Sequence, residues 1–120
     1  MNNRRLGMIW ERESRVFLKD KFNTDLIFKL INPEQIDWFV FYGDNGKKLA
    51  LVESKFTKKD KYYPFENQKK RNQINRYFKV KSDLIGQGYE CEFYFLIKKG
   101  KTKEVFFEKI DQIGDLKKSY

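Results

Sequence analysis

Residues 36–55 read IDWFVFYGDNGKKLALVESK, and this stretch decides the fold. It holds two almost continuously apolar runs, residues 36–42 and 49–52. Both runs are rich in strand-forming residues, which predicts two strands that are covered on both faces. The four residues between them, 43–46 (GDNG), predict a hairpin. Its loop is either a three-residue Asp-Asn-Gly loop with Gly46 in the left-handed conformation or a two-residue Asn-Gly turn.

The segments around this hairpin predict a single α/β domain. Residues 5–22 contain no proline and mix apolar with charged positions, which predicts a helix, and residues 25–31 alternate as a half-buried strand does. Asn32-Pro33 predicts a turn. Further along, the pattern predicts a second helix, two strands and a short terminal helix, over residues 65–85, 89–97, 104–107 and 110–118. The predicted order is α-β-β-β-α-β-β-α, a mixed sheet flanked by helices in one domain, residues 1–120.

The composition excludes several classes of site. The 120 residues include no histidine and a single cysteine, Cys91. Intramolecular disulfides, the usual Cys/His zinc sites and every catalytic site that uses histidine as its base are therefore excluded. No apolar run approaches the length of a membrane span. We expect a reduced cytoplasmic protein without a membrane partner, whose chemistry depends on carboxylates, lysine, tyrosine or a metal.

Positive charge is concentrated in one stretch, residues 55–81. The chain has 26 Lys and Arg against 17 Asp and Glu, a net charge of +9, and this stretch holds ten of the cations and several aromatic residues. Cations interleaved with aromatics favour contact with a nucleic-acid backbone and exposed bases. A solvated helix face, an acidic protein partner and a membrane surface are the alternatives. The candidate nucleic-acid-binding residues are Lys58, Lys59, Lys61, Lys69, Lys70, Arg71 and Arg76.

Charged residues interrupt the two central strands where apolar ones are expected. Leu49–Val52 runs directly into Glu53-Ser54-Lys55, and Asp37 opens the other strand. A three-residue hairpin loop sets Asp37 opposite Glu53, whereas a two-residue turn sets it opposite Ser54. Two carboxylates that converge in this way suit Mg²⁺, which prefers oxygen ligands.

Lys55 lies two residues beyond Glu53 and therefore on the same face of its strand. It could hold or deprotonate an attacking water or neutralise charge on a phosphate. The simpler alternative is that Lys55 only forms an ion pair with Glu53 or Asp37.

These residues resemble a known family. Asp37 followed by Glu53-Ser54-Lys55 (E-x-K) on the next strand is similar to the PD-(D/E)xK nuclease superfamily. Within it, the likeness is to RecU-type Holliday junction resolvases and, more distantly, to archaeal resolvases. The segments that carry it are GMIWE at 7–11, ESKFTK at 53–58, YPF at 63–65, NQI at 72–74, FYFLI at 93–97 and VFF at 105–107.

The resemblance implies a restriction-endonuclease-like fold and a set of site residues. It implies that Asp37 and Glu53 ligate Mg²⁺, for which Mn²⁺ would substitute, with Ser54 and Glu11 also in the metal site. Lys55 would assist the water, and Gln73 would position the water or a phosphate. Glu13 is the alternative to Glu11, and Gln68 is the alternative to Gln73.

The function implied is metal-dependent cutting of branched DNA, Holliday junctions above all, in DNA recombination and repair. We expect a homodimer, because two cuts on opposed strands need two active sites. Trp10, Tyr62 and Tyr63 are candidates for its interface if they are exposed. RecU-type proteins carry a long insertion before the strand with the metal-binding Asp, and residues 28–37 leave no room for it, although the archaeal relatives also lack it.

Three other functions stay open at this point. The chain could be a nuclease of flaps, duplex ends or a restriction site that uses the same residues. It could instead be a non-catalytic DNA-binding module whose carboxylates hold an ion pair, or a basic protein-interaction domain.

Overall fold

The computed structural model describes residues 3–30, 36–44 and 46–120. It has two helices on a five-stranded mixed sheet. In chain order the elements are α1 (Asn3–Phe22), β1 (Ile27–Lys29), β2 (Trp38–Tyr42), β3 (Lys48–Thr57), α2 (Gln68–Gly86), β4 (Glu90–Lys99), β5 (Val105–Ile110) and a short 3₁₀ helix (Ile113–Asp115).

The strands lie in the sheet in the same order as in the chain, β1-β2-β3-β4-β5. Neighbouring strands are antiparallel except β3 and β4, which are parallel. A parallel pair needs a crossover connection, and α2 supplies it. The predicted mixed sheet with flanking helices is confirmed.

The sheet separates two apolar layers, one under each helix. On β3, Ala50 and Val52 belong to the layer that contains Trp10 and Leu18 of α1. Leu49 and Leu51 belong to the other layer, together with residues of α2 and the C-terminal segment. This division follows from the period of two along a strand. No helix in the described part of the chain is long and apolar enough to cross a membrane.

The hairpin has the register of the three-residue loop. Trp38 pairs with Val52 and Tyr42 pairs with Lys48. This pairing is the one that the three-residue loop requires and not the one that the two-residue turn requires. Gly46 has a φ of 65°, the left-handed conformation expected for it. Asn45, at the centre of the loop, lies outside the described residues.

Several predicted boundaries are wrong. The strand β3 continues past Val52 to Thr57, because it pairs in parallel with β4 over ten residues and this ladder carries it beyond its apolar run. The helix α2 begins only at Gln68, where the Asn67 side chain accepts a hydrogen bond from the Lys70 backbone nitrogen at 2.9 Å and caps the helix.

The two ends of the chain also differ from the prediction. The first strand is limited to Ile27–Lys29, and the predicted turn at residues 32–33 lies outside the described residues. At the other end, β5 extends to Ile110, so the predicted terminal helix over residues 110–118 is reduced to one 3₁₀ turn.

Candidate active site

The carboxyl groups of Asp37 and Glu53 meet at the end of the β2–β3 strand pair. Continuing the observed register by one step beyond Trp38 and Val52 sets Asp37 opposite Glu53. The two carboxyl groups are within hydrogen-bonding reach of each other. A hydrogen bond between them requires that one of them carries a proton. The predicted convergence of the two carboxylates is confirmed.

Glu53 is the buried member of the pair. Only 1% of its surface is exposed, on the α2 side of the sheet. Burial raises its pKa well above the ordinary value, and the hydrogen bond with Asp37 and the negative charge of Asp37 raise it further, while Lys55 and Lys29 lower it less. Of the two carboxyl groups, Glu53 is therefore the one that binds the shared proton more tightly.

Asp37 behaves in the opposite way. Burial raises its pKa, but the hydrogen bond from Glu53 and the positive charge of Lys29 outweigh burial and leave the pKa below the ordinary value. Lys29 Nζ lies 3.0 Å from Asp37 Oδ1, and the Ser54 backbone nitrogen donates to Asp37 Oδ2 at 2.8 Å. Asp37 is thus a fixed, ionised carboxylate.

Two lysines approach the pair from different strands. Lys55, on β3 as predicted, places its Nζ 3.7 Å from Glu53 Oε2. Lys29, on the edge strand β1, pairs with Asp37 and lies over the ring of Trp38, 5.3 Å from its centroid. Lys29 was not among the site residues expected from the sequence. Its position beside Asp37 follows from the pairing of Lys29 with Trp38, and that pairing cannot be predicted until the register of β1 on β2 is known.

Tyr77 is a second residue that the sequence analysis misassigned. It is one of the aromatic residues of 55–81, which the sequence predicts to contact nucleic acid, but its side chain is buried and its hydroxyl donates to Glu53 Oε2. Ile74 and Tyr77 lie three residues apart and are the buried residues of α2. That spacing on an otherwise polar helix indicates the buried face of the helix. A tyrosine on that face predicts a hydrogen-bond partner, because a buried tyrosine hydroxyl usually needs one.

On the opposite face of the sheet, Ser54 contacts the first helix. Ser54 Oγ and Ser14 Oγ are 2.8 Å apart, and Ser14 Oγ also donates to the Trp10 carbonyl oxygen at 2.7 Å. Ser14 is fully buried. Two small hydroxyl side chains therefore let α1 approach β3 closely beside the carboxylate pair.

A cavity of about 570 Å³ opens between α1 and the ends of β2 and β3. Asp37, Ser54 and Glu11 line it, whereas Glu53 and Lys55 do not. Glu13, the alternative to Glu11, instead pairs with Lys98 on β4 at 2.5 Å. Glu11 is therefore the helical glutamate that shares a cavity with Asp37.

The two candidate glutamines of α2 have different surroundings. Gln68 is exposed and donates from Nε2 to Asn72 Oδ1 at 2.8 Å. Gln73 is half-buried and lies four residues before Tyr77, so it is on the same helix face one turn away. Gln73 is the one that α2 carries toward the Glu53 side of the sheet.

The carboxylate pair fits a divalent cation in the chemistry of its donors. Glu53 Oε1 is buried and receives no hydrogen bond from any residue that the structure describes. A buried carboxylate oxygen without a donor is costly, and a hard cation would satisfy it. Within residues 3–30, 36–44 and 46–120, no three acidic, histidine or cysteine side chains converge as a metal-binding group. Glu11 therefore does not join Asp37 and Glu53 as a third close ligand.

The candidates for a dimer interface are mostly buried. Trp10 is 6% exposed and Tyr62 is 9% exposed, so neither is available to a partner. Tyr62 packs against Phe95, and burial together with the nearby charge of Glu53 raises the pKa of its hydroxyl. Tyr63, 44% exposed, is the only one of the three that lies on the surface.

Comparison with known proteins gives no family for this chain. No family model matches it, and no curated protein matches it. The function of this chain is therefore inferred from the site itself and from its charges.

Proposed function

We propose that this protein is a metal-dependent DNA endonuclease of the PD-(D/E)xK type that cuts branched DNA. The observation that carries the proposal is the meeting of Asp37 and Glu53 on adjacent strands, with Lys55 3.7 Å from Glu53. Two carboxylates and an ammonium group at one strand end are the residue types that phosphodiester hydrolysis needs when histidine is absent. The net charge of +9 supports a polyanionic substrate.

Each candidate site residue would have its own role. Asp37 and Glu53 would hold Mg²⁺, with Ser54 beside them, and Glu11 would act from the same cavity. When bound, Mg²⁺ supplies a Lewis acid that lowers the pKa of water and offsets negative charge on the phosphate. Lys55 would orient the attacking water or stabilise charge on the phosphate, and Gln73 would position either of them.

Tyr77 acts on this site through Glu53. Its hydroxyl donates to Glu53 Oε2, while Oε1 receives no hydrogen bond from any residue that the structure describes and would face a cation once the proton shared with Asp37 has left. A hydrogen bond to the ionised carboxylate favours that form, so Tyr77 assists the loss of the proton that Glu53 shares with Asp37. Tyr77 is a positioning residue in this proposal.

Branched DNA, a homodimer and a restriction-endonuclease-like fold are the finer parts of the proposal. The antiparallel strands β1-β2-β3, followed by α2 and a parallel β4, support that fold. The four-way junction follows from the resemblance to resolvases. Two opposed cuts would need two copies of the site related by a two-fold axis.

The proposal is tested by incubating the purified protein with a synthetic four-way junction, a flap and a matched duplex. We expect cutting of the branched DNA in Mg²⁺ or Mn²⁺ and none in EDTA. Equal cutting of all three substrates would keep the nuclease and remove the specificity for branched DNA. No cutting of any substrate with either metal would overturn the proposal.

A non-catalytic DNA-binding module is the second candidate, and one observation favours it. Asp37 already has an ion pair with Lys29 and a backbone donor from Ser54, so its charge is satisfied without a metal. Asp37→Asn and Glu53→Gln separate the two functions. A nuclease loses cutting, while its DNA binding survives or tightens because anionic repulsion falls. Under the binding-module function neither substitution affects a metal-dependent activity, because there is none.

A further inference from the structure

The cavity beside Asp37 is the middle part of a longer groove. A cavity of about 230 Å³ on the outer side of α1 shares Glu11, Lys29 and Trp38 with it. On the other side, a cavity of about 240 Å³ shares Phe56, Thr57 and Lys59 with it. Because neighbouring cavities share wall residues, the three lie side by side, and this row of cavities, with Asp37 in the central one, is here called the groove.

Basic side chains outnumber acidic ones along this groove. The cations are Arg12, Arg15 and Lys29 toward α1, Lys58 and Lys59 at the centre, and Lys61 and Lys70 toward α2. The acidic side chains are Glu11, Asp37 and Glu66, and two of these already have a lysine partner, Lys29 for Asp37 and Lys70 for Glu66. The groove is therefore complementary to a polyanion that passes the carboxylate site.

Three of these seven cations lie outside residues 55–81, the stretch in which the sequence predicts the nucleic-acid contacts. Arg12 and Arg15 are on α1, and Lys29 is on β1, whereas the sequence placed the nucleic-acid contacts in residues 55–81. The cations Arg71 and Arg76 of α2, predicted to bind nucleic acid, line none of the three cavities.

The dimensions and the walls of the groove suit one strand better than two. A cavity of about 570 Å³ falls within the roughly 300–1,000 Å³ of small-ligand sites, which admits a nucleotide but not a duplex. Trp10, Trp38 and Phe56 are on its wall. The buried Trp10 Nε1 has no acceptor among the residues that the structure describes. A base or phosphate oxygen in the cavity would provide one.

We propose that one unpaired strand of branched DNA lies along this groove, past Asp37, with a nucleotide in the cavity walled by Trp10 and Trp38. This inference rests on the proposed function, because it names the part of the DNA that the candidate active site would meet. The protein would accordingly prefer branch points that expose an unpaired strand, such as flaps and splayed ends, over a fully paired four-way junction. Phosphate contacts to the lysines and arginines would hold the strand, together with contact of a base against the half-buried ring of Phe56.

The first test uses the intrinsic fluorescence of the protein. Trp10 and Trp38 are the only tryptophans in the sequence, and both line the central cavity. In EDTA, a short oligothymidylate or a flap should change the tryptophan emission in a saturable way and bind roughly tenfold more tightly than a blunt duplex of equal length. Equal affinities for single strand and duplex, or an emission that single strand leaves unchanged, would overturn the inference.

The second test uses the salt dependence of single-strand binding. Arg12→Ala with Arg15→Ala should reduce the slope of log affinity against log salt by about 1 to 1.4, since each phosphate contact contributes about 0.7. Both positions are exposed on a helix, where alanine is well tolerated. The matched control is Lys48→Ala with Lys109→Ala, two exposed lysines that line none of the three cavities. Equal slopes for the two double variants would contradict the groove.

Failure of this inference and failure of the proposed function give different results. If the flap is cut in Mg²⁺ but the oligothymidylate leaves the fluorescence unchanged, the nuclease stands and the groove assignment is wrong. If the oligothymidylate binds in the groove but no DNA is cut with Mg²⁺ or Mn²⁺, the groove assignment stands and the nuclease proposal is wrong.

Discussion

Replacing Glu53 by glutamine probes the shared proton of the carboxylate pair. Glutamine has nearly the same shape, can accept from Tyr77 as glutamate does, and can donate to Asp37 without any proton uptake. Because the pKa of Glu53 is raised in the folded protein, the folded state binds this proton more tightly than the unfolded state does. The stability from this group is present in full below the ordinary glutamate pKa, about 4.3, and is lost as the pH rises through the raised value.

The contribution of Asp37 to stability has the opposite dependence on pH and changes at lower pH. Its pKa is lowered, so its contribution is present above the ordinary aspartate value and is lost only as the pH falls through the lowered one. From mildly acidic to alkaline pH, the difference in stability between wild type and Glu53→Gln therefore comes from Glu53. Wild-type protein without metal should lose more stability over that range than the Glu53→Gln variant does.

The size of the effect follows from the geometry. Two like charges roughly 4 Å apart repel by about 4 kcal/mol at an effective dielectric constant of about 20. Lys29, 3.0 Å from Asp37, and Lys55, 3.7 Å from Glu53, offset part of this repulsion. We expect Glu53→Gln to be more stable than wild type by roughly 1 to 3 kcal/mol at alkaline pH, or about 4 to 12 °C in Tm for a domain of this size.

The measurement is thermal unfolding followed by circular dichroism in EDTA from pH 5 to 9. The difference in Tm between Glu53→Gln and wild type should grow with pH, and Mg²⁺ should raise the Tm of wild type more than that of the variant. Glu90→Gln, at an exposed glutamate, is the control, and its Tm should change with pH as the Tm of wild type does. If Glu53→Gln is less stable than wild type at every pH, or the difference does not vary with pH, the shared proton does not exist.

Three further predictions concern the core and the buried polar groups. Tyr77→Phe leaves Glu53 Oε2 without its donor and should lower the free energy of unfolding in urea by about 1 to 3 kcal/mol; an unchanged value would remove Tyr77 from the site. Cys91 is buried, and burial raises the pKa of its thiol to about 11, so a thiol reagent at pH 8 should label it only after unfolding. Rapid labelling of the folded protein would contradict that burial. Leu18→Ala should cost about 2 to 5 kcal/mol, whereas Val16→Ala, at a 60% exposed position of the same helix, should cost under about 0.5 kcal/mol; similar losses at both would mean that α1 does not pack as described.

The sequence by itself determined the central hairpin and the two acidic residues of the candidate site. The hairpin signal and the period of two along each strand are local properties of the chain, but they left two loop lengths open, and the register in the structure decided that Asp37 lies opposite Glu53. The order of helices and strands was also predictable, because each element carries its own apolar pattern. The missed ends, such as the extension of β3 to Thr57, depend on pairing with β4, a partner distant in the sequence.

Only the tertiary structure decided what surrounds that pair. Tyr77 meets Glu53 from α2, Lys29 meets Asp37 from β1, and Ser14 meets Ser54 from α1. Each of these contacts depends on how a helix is rotated over the sheet or how an edge strand is registered, and such long-range packing is not encoded in any short stretch of sequence. For the same reason a linear count of charges selected residues 55–81, while the groove at the candidate site also takes three cations from α1 and β1.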